Sequence, residues 1–238
     1  TLPDSELIGR RILREHGDPP LNNTYDITQH KGRMWYLRTD TQPRRIWHSD
    51  PGDAQSVYTD ENYIDCTDAD TMGDVGIGAV GDFEGMLSVF LERAVFTISG
   101  TGELIGDSLD WRRRRTNARI GAASKRGIIK VPKGATYFDD LGGVHQTARG
   151  ALAYFTPAGD IRLFDGDADT IISAGIKDRI SSFAYASRGK IWAITDTVLN
   201  HILWFFPESG QTECTACVAW NYQMGTMHYW AGLNFAHG

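Results

Sequence analysis

The sequence has no run of about 18 apolar residues, the length a membrane-spanning helix needs, so no such span is expected. Its three cysteines, Cys66, Cys214 and Cys217, are too few and too odd in number for a disulfide framework. Free structural thiols in a protein matured in a reducing cell are the expectation. Cys214 and Cys217 spell C-x-x-C, but a zinc site would need two more ligands at close spacing, and only scattered histidines are present. The surrounding "TECTACVAWNYQ" reads as a strand, where positions three apart face opposite sides. A net charge of -6 excludes whole-molecule attraction to nucleic acid or an anionic membrane. The opening "TLPDSELIGRR" lacks the basic start and apolar core of a signal peptide. Helical periodicity is nearly missing; only "DSELIGRRILREHG" places Leu7, Ile8 and Ile12 roughly on one face.

Recognisable catalytic sets are also missing. His16, His30, His48, His145, His201, His228 and His237 are dispersed, with no H-E-x-x-H or H-x-H pair. No G-x-S-x-G marks a serine nucleophile. "GDVGIGAVGDFEG" has glycines, but no Lys-Ser/Thr follows to make a phosphate loop. "HSDPGDAQSVY" does not supply the Ser-x-Asp-x-Gly-x-x-Trp box of sialidase propellers. The expectation is a protein that is not an enzyme, with no cofactor and no metal.

What the chain does have is 26 glycines and an 11% aromatic content, the mix that many turns and many aromatic strand positions produce. Short apolar runs alternate with turn residues. "RMWYLRTD" leads to "RIWHSD", "GMLSVFLE" to "AVFTISG", "GALAYFTP" to "DIRLFDG", and "GKIWAITDT" to "HILWFFPESG". Each first strand follows a charged residue and a glycine: "KGR", "EGM", "RGA", "RGK". Recurring hairpins of this kind point to the blades of a β-propeller; a single β-sandwich with similar hairpins is the alternative. The fold expected is all-β, a complete or partial propeller of four-stranded antiparallel blades. It spans 1–238 as one domain or as a portion of a longer chain, with 1–18 in a preceding blade or arm.

Asp165, Asp167 and Asp169 close the stretch "DIRLFDGDADT". An EF-hand loop would need Gly at the sixth place and Glu at the twelfth, where Thr170 and Ile176 stand. Aspartate and glycine are what a hairpin end requires, so the cluster reads as a turn between strands. An adventitious cation and a catalytic role are the lesser alternatives.

The order of these pieces resembles the β-propeller virion proteins of tailed bacteriophages. "NNTYDITQHKGRMWYL…RRIWHSDPGD" looks like their opening blade, "GMLSVFLERAVFTISGTG" like the next hairpin. "GGVHQTARGALAYFTPAGDIRLFDGDADTIISAGIKDRI" is the most specific match, and "RGKIWAITDTVLNHILWFFPESGQTECTACVAWNYQ" follows as a further blade. The resemblance covers Pro19 to Tyr222 and rests on the order of several motifs. One departure is Ala122 in "IGAAS", where the family pattern has a cysteine after glycine. It implies a structural part of the virion tail or neck, of nozzle or head-stabilising type, made in the host cytoplasm. The partners implied are copies of itself in a ring about the DNA channel, and other tail or portal-side proteins. A carbohydrate-binding propeller of lectin or receptor-binding kind is the alternative, and a propeller glycosidase ranks last.

"DWRRRRTNAR" is a local exception in an acidic chain. Arg112, Arg113, Arg114 and Arg115, with Arg119 close by, are candidates for a subunit interface or for non-specific contact with DNA phosphate. The bland reading is a solvated loop whose arginines stack on aromatics such as Trp111. The stretch is expected to break the strand pattern as an outward insertion. Trp35, Trp47, Trp111, Trp192, Trp204, Trp220 and Trp230 read mostly as packing between twisted sheets, with a sugar-binding face as the alternative.

Overall fold

The computed structural model describes residues 23–58, 60–105 and 108–232. The early candidate helix and the arm assigned to 1–18 lie outside these residues. Strand makes up 44% of the structure and helix 9%, so the chain is all-β as expected.

Four antiparallel sheets, each a four-stranded meander, follow one another among the described residues. The first contains β1 (Asp26–His30), β2 (Arg33–Leu37), β3 (Arg45–His48) and β4 (Tyr63–Asp65). The second contains β5 (Gly76–Phe83), β6 (Met86–Leu91) and β7 (Val95–Ser99). A small hairpin of β8 (Leu104–Ile105) and β9 (Ser108–Leu109) then leads to its last strand, β10 (Arg112–Arg115). The third opens with β11 (Ile128–Val131), interrupted by a separate hairpin of β12 (Thr136–Phe138) and β13 (Val144–Gln146). It continues with β14 (Ala151–Phe155), β15 (Ile161–Phe164) and β16 (Asp169–Ile171). The fourth contains β17 (Trp192–Asp196), β18 (His201–Phe206), β19 (Ala216–Asn221) and β20 (Met227–Ala231).

The four hairpins read from the sequence all form. In the first three sheets they are the second and third strands; in the fourth they are the first and second. The charged-Gly lead therefore marks different places. Gly32 and Gly85 turn the chain from first to second strand at φ +70 and +73, where only glycine is unstrained, while Gly189 precedes a first strand.

Middle strands are apolar on both faces because each inner sheet is covered on both sides. In β6, Leu87, Val89 and Leu91 enter a core shared with Trp35, Leu37 and Ile46 of the first sheet. Phe90 points the other way, into a core with Leu152, Tyr154 and Phe164 of the third. In β14, Ala151, Ala153 and Phe155 join Ile202, Trp204, Val218 and Trp220 of the fourth. Three of the seven tryptophans, Trp35, Trp204 and Trp220, are fully buried in these seams and Trp47 nearly so; Trp230 is the exposed one, at 46%.

First strands lie side by side. The side chains of Asp26 and Thr28, alternate residues of β1, accept from the backbone N–H groups of Ala79 and Gly81 in β5 at 2.7 and 3.3 Å. The approach is so close that a Cβ on Gly81 would sit 1.8 Å from the Gln29 carbonyl oxygen. Lys125, just ahead of β11, donates to the Ala79 carbonyl and pairs with Asp26 at 2.8 Å. Lys130 of β11 donates to the Gly81 carbonyl at 3.1 Å. On the fourth-sheet side, Ser124 Oγ donates to the Ile191 carbonyl at 2.7 Å and Trp204 Nε1 to the Gly127 carbonyl at 3.0 Å.

Cys66, Cys214 and Cys217 are free and buried. Cys214 and Cys217 do not face opposite sides. Cys214 lies ahead of β19 rather than within it, so both thiols enter one apolar cluster with Phe205. Burial pushes them up to about 11 and about 12.

Candidate functional site: an arginine strand between two acidic edges

The arginine run is a strand, not an insertion. β10 pairs antiparallel with β7, Arg112 opposite Ser99 through Arg115 opposite Phe96, and closes the outer edge of the second sheet. The sequence reading mistook it because four arginines have no apolar alternation. At an edge both faces reach solvent, and the pattern that identifies a strand is lost. The insertion is the preceding hairpin, β8–β9.

Strand alternation divides the arginines between the two neighbouring sheets. Arg113 and Arg115 face the first. Arg113 Nη1 donates to the carbonyls of Asp65 and Thr67, both at 2.6 Å, its Nη2 reaches Asp68 Oδ1 at 3.3 Å, and the guanidinium lies over the Phe96 ring. Arg115 donates to the Asp70 carboxylate. Arg114 faces the third sheet and donates to Asp167 Oδ1 at 2.6 Å. Asn117 Nδ2 holds the other oxygen of Asp167 at 2.8 Å, and these two partners keep that carboxyl below its ordinary range. The backbone N–H of Arg119 donates to Asp169 Oδ1 at 3.2 Å. Three of the five candidate arginines thus have acidic partners in their own chain. The side chains of Arg112 and Arg119 have none among the described residues and project from the surface.

The aspartate cluster is the other half of this arrangement. Asp165 Oδ1 accepts from the N–H groups of Asp167 and Ala168 at 2.9 and 2.8 Å, which forms the β15–β16 turn as expected. Asp167 meets Arg114. Asp169 is buried, its side chain 1% exposed, and accepts from Arg162 Nη1 at 2.8 Å and from the Tyr154 hydroxyl at 3.1 Å. Arg162 also grips Asp160, through Nε at 3.1 Å and Nη2 at 3.3 Å, and Thr156 Oγ1 donates to Asp160 at 2.5 Å. Burial, followed by the Asp169 charge, pushes the Tyr154 hydroxyl well above its ordinary range. The sequence reading missed this network; its one visible signal is the spacing Asp160, Arg162, which puts both on one face of a strand that begins at Ile161.

A second missed cluster fills the wedge between the first and second sheets. His30 and His48 are buried around Trp35 and Trp111, with Arg33 beneath. His30 Nδ1 is 2.7 Å from Asp82 Oδ1, and His48 Nδ1 is 3.2 Å from the Ser49 carbonyl. Burial lowers both histidines, His48 to about 4.

One cleft of about 340 Å³ is lined by Tyr25 and Arg38 at the ends of β1 and β2, Ile77 of β5, Glu92 after β6, and Ala123 and Arg188 in the connections ahead of β11 and β17. Across it the Tyr185 hydroxyl donates to Glu92, and Arg188 Nη2 lies 3.4 Å from the same carboxylate. Arg38 stacks on Tyr25 at 4.4 Å and Arg188 on Tyr185 at 4.2 Å. Among the described residues no group of three or more His, Cys, Asp and Glu side chains is placed to hold a metal ion, and no helix is long and apolar enough to cross a membrane.

No protein-family model matches this chain, and no curated protein matches it.

Proposed function

We propose that the chain is a β-propeller segment with a structural role: a component of a bacteriophage tail or neck that stands in a ring of like subunits. The observation that carries the propeller part is the repeated relation between sheets. Four meanders follow in sequence order, and first strands lie side by side through Asp26, Thr28 and Lys125. Segments flanking all four sheets line one cleft. Radial repetition accounts for this; face-to-face stacking of two sheets does not. The virion part rests on the resemblance in motif order described above. A load-resisting part suits the way polar side chains are used: Arg113, Arg114, Arg115, Lys125 and Arg188 each tie one sheet to another.

Contact with a neighbouring subunit falls to Arg112 and Arg119, the two candidates whose side chains have no acidic partner among the described residues. The carbohydrate-binding alternative has less to draw on. The exposed rings of Tyr25 and Tyr185 carry guanidinium groups where a sugar would stack. The test is fractionation of particles from infected cells. The protein should co-sediment with tailed particles through a salt wash and keep a fixed ratio to them. Recovery only in the soluble fraction would rule the virion role out.

A further inference from the structure

Hairpin tips are ordinarily polar. Three tips, one on the separate β12–β13 hairpin and two on the fourth sheet, are not. The β12–β13 tip exposes Leu141 at 91%, the β17–β18 tip exposes Val198 and Leu199 at 85% and 60%, and the β19–β20 tip exposes Met224 at 66%. Phe138 and Val144, a cross-strand pair in the first of these hairpins, are exposed as well. The tips are joined. Thr136 N–H donates to the Tyr222 carbonyl at 2.7 Å, Tyr222 N–H to the Asn200 carbonyl at 3.0 Å, and Phe138 packs against Gly225.

Each tip is also held rigid by the same device. Asp139 Oδ1 accepts from Leu141 N–H at 3.0 Å. Asp196 Oδ1 accepts from Val198 and Leu199 N–H at 2.9 and 3.0 Å. Asn221 Oδ1 accepts from Met224 N–H at 2.9 Å. The β15–β16 turn uses an identical aspartate clamp, but its tip is Gly166 and Asp167 and it faces the arginine strand. The apolar tips therefore differ from the polar tip of the β15–β16 turn, although the clamp is the same. Fixed apolar side chains exposed on neighbouring, hydrogen-bonded hairpins are the mark of a docking surface that loses little freedom on binding.

Charge identifies the occupant. Residues 134–146, 196–202 and 221–228 contain Asp139, Asp140 and Asp196, the histidines His145, His201 and His228, and no lysine or arginine; His145 Nε2 lies 2.7 Å from Asp139 Oδ2. We propose that these three tips form a docking surface for a protein segment that presents apolar side chains flanked by lysine or arginine. Anionic lipid and nucleic acid are repelled by the same charges. The surface does not depend on the virion reading, and it fits a partner inside or outside a particle.

The test uses a labelled 14-residue peptide of leucine and lysine in amphipathic order, and a leucine–glutamate peptide of the same pattern. Binding is read by fluorescence anisotropy at physiological salt. The lysine peptide should bind at least tenfold more tightly than the glutamate one. The combined substitution Leu141→Ser, Val198→Ser and Met224→Ser should weaken it at least tenfold with an unchanged melting temperature, and Asp140→Lys should weaken it severalfold. Equal binding of the serine variant, equal binding of the two peptides, or no binding would overturn the proposal. Anionic-vesicle binding lost in the serine variant, or a concentration-dependent dimer dissolved by those substitutions, would assign the surface to lipid or to a second copy, and so would overturn it too.

Discussion

Arg162 is the side chain with the most to lose. It is the common cation of Asp160 and Asp169, whose side chains are 4% and 1% exposed. Removing one partner of a buried ion pair leaves charge unpaired, at a cost of about 3–5 kcal/mol. Arg162→Met should therefore lower the urea midpoint severely; a loss under ~1 kcal/mol would mean water reaches those carboxylates. His48 gives a pH dependence whose sign is fixed by its burial. Its folded value is about 4 against 6.5 for the free side chain. Between those values the unfolded chain takes up a proton that the folded chain refuses. Stability is thus complete above pH 6.5 and falls as pH drops toward 4, by up to ~1.4 kcal/mol per unit and ~3 kcal/mol in all. His30, lowered by burial against the opposing pull of Asp82, adds in the same direction. His48→Gln should flatten the slope of stability against pH in that window. An unchanged slope would show that His48 titrates freely. Turn chemistry made the role of Asp165 legible in the sequence, because a hairpin end is local. The partners of Asp167 and Asp169 were not legible: Arg114 stands 53 residues away from Asp167, and only the fold brings them together.

At the scale of elements, the middle strands were legible and the outer ones were not. "MLSVFL", but for Ser88, and "ALAYF" are apolar because a sheet covers each face. β4, β10 and β16 carry polar or charged residues at open edges and have no such signature. β5 was obscured by its glycines, which serve close approach rather than a phosphate loop. Gly81→Ala, with its new Cβ 1.8 Å from the Gln29 oxygen, should cost more than about 3 kcal/mol or abolish folding, far outside the usual range. Gly175→Ala, in open space at ordinary φ, should change stability by less than about 0.5 kcal/mol. Similar losses at both sites would show that β1 and β5 are not in contact. For the arginine strand, Arg113→Ala removes charged hydrogen bonds to two carbonyls and should cost roughly 1–2 kcal/mol. Arg112→Ala should be silent in the same chemical denaturation measurement. Equal effects would contradict the division of β10 into tied and free arginines.

For the whole molecule, the repeat was legible but its phase was not. The charged-Gly lead recurs four times in the sequence, yet it introduces the second strand in three sheets and the first strand in the fourth. The relation between sheets is set by side chains that cross from one to the next, at sequence separations of 46 and 53 residues for Lys125 and Asp26 with their β5 partners. Strand patterning does not record such contacts. In the proposed arrangement the four meanders stand around one axis with their first strands innermost, and this unit repeats in a ring. An electron-microscopy map of the native assembly at side-chain resolution tests it most directly. The map should show β1, β5, β11 and β17 nearest a common axis, β10 at the periphery with Arg114 on Asp167, and Arg112 and Arg119 at a contact with an adjacent copy. A map showing the sheets stacked face to face in two layers, or a lone copy away from any ring, would contradict it.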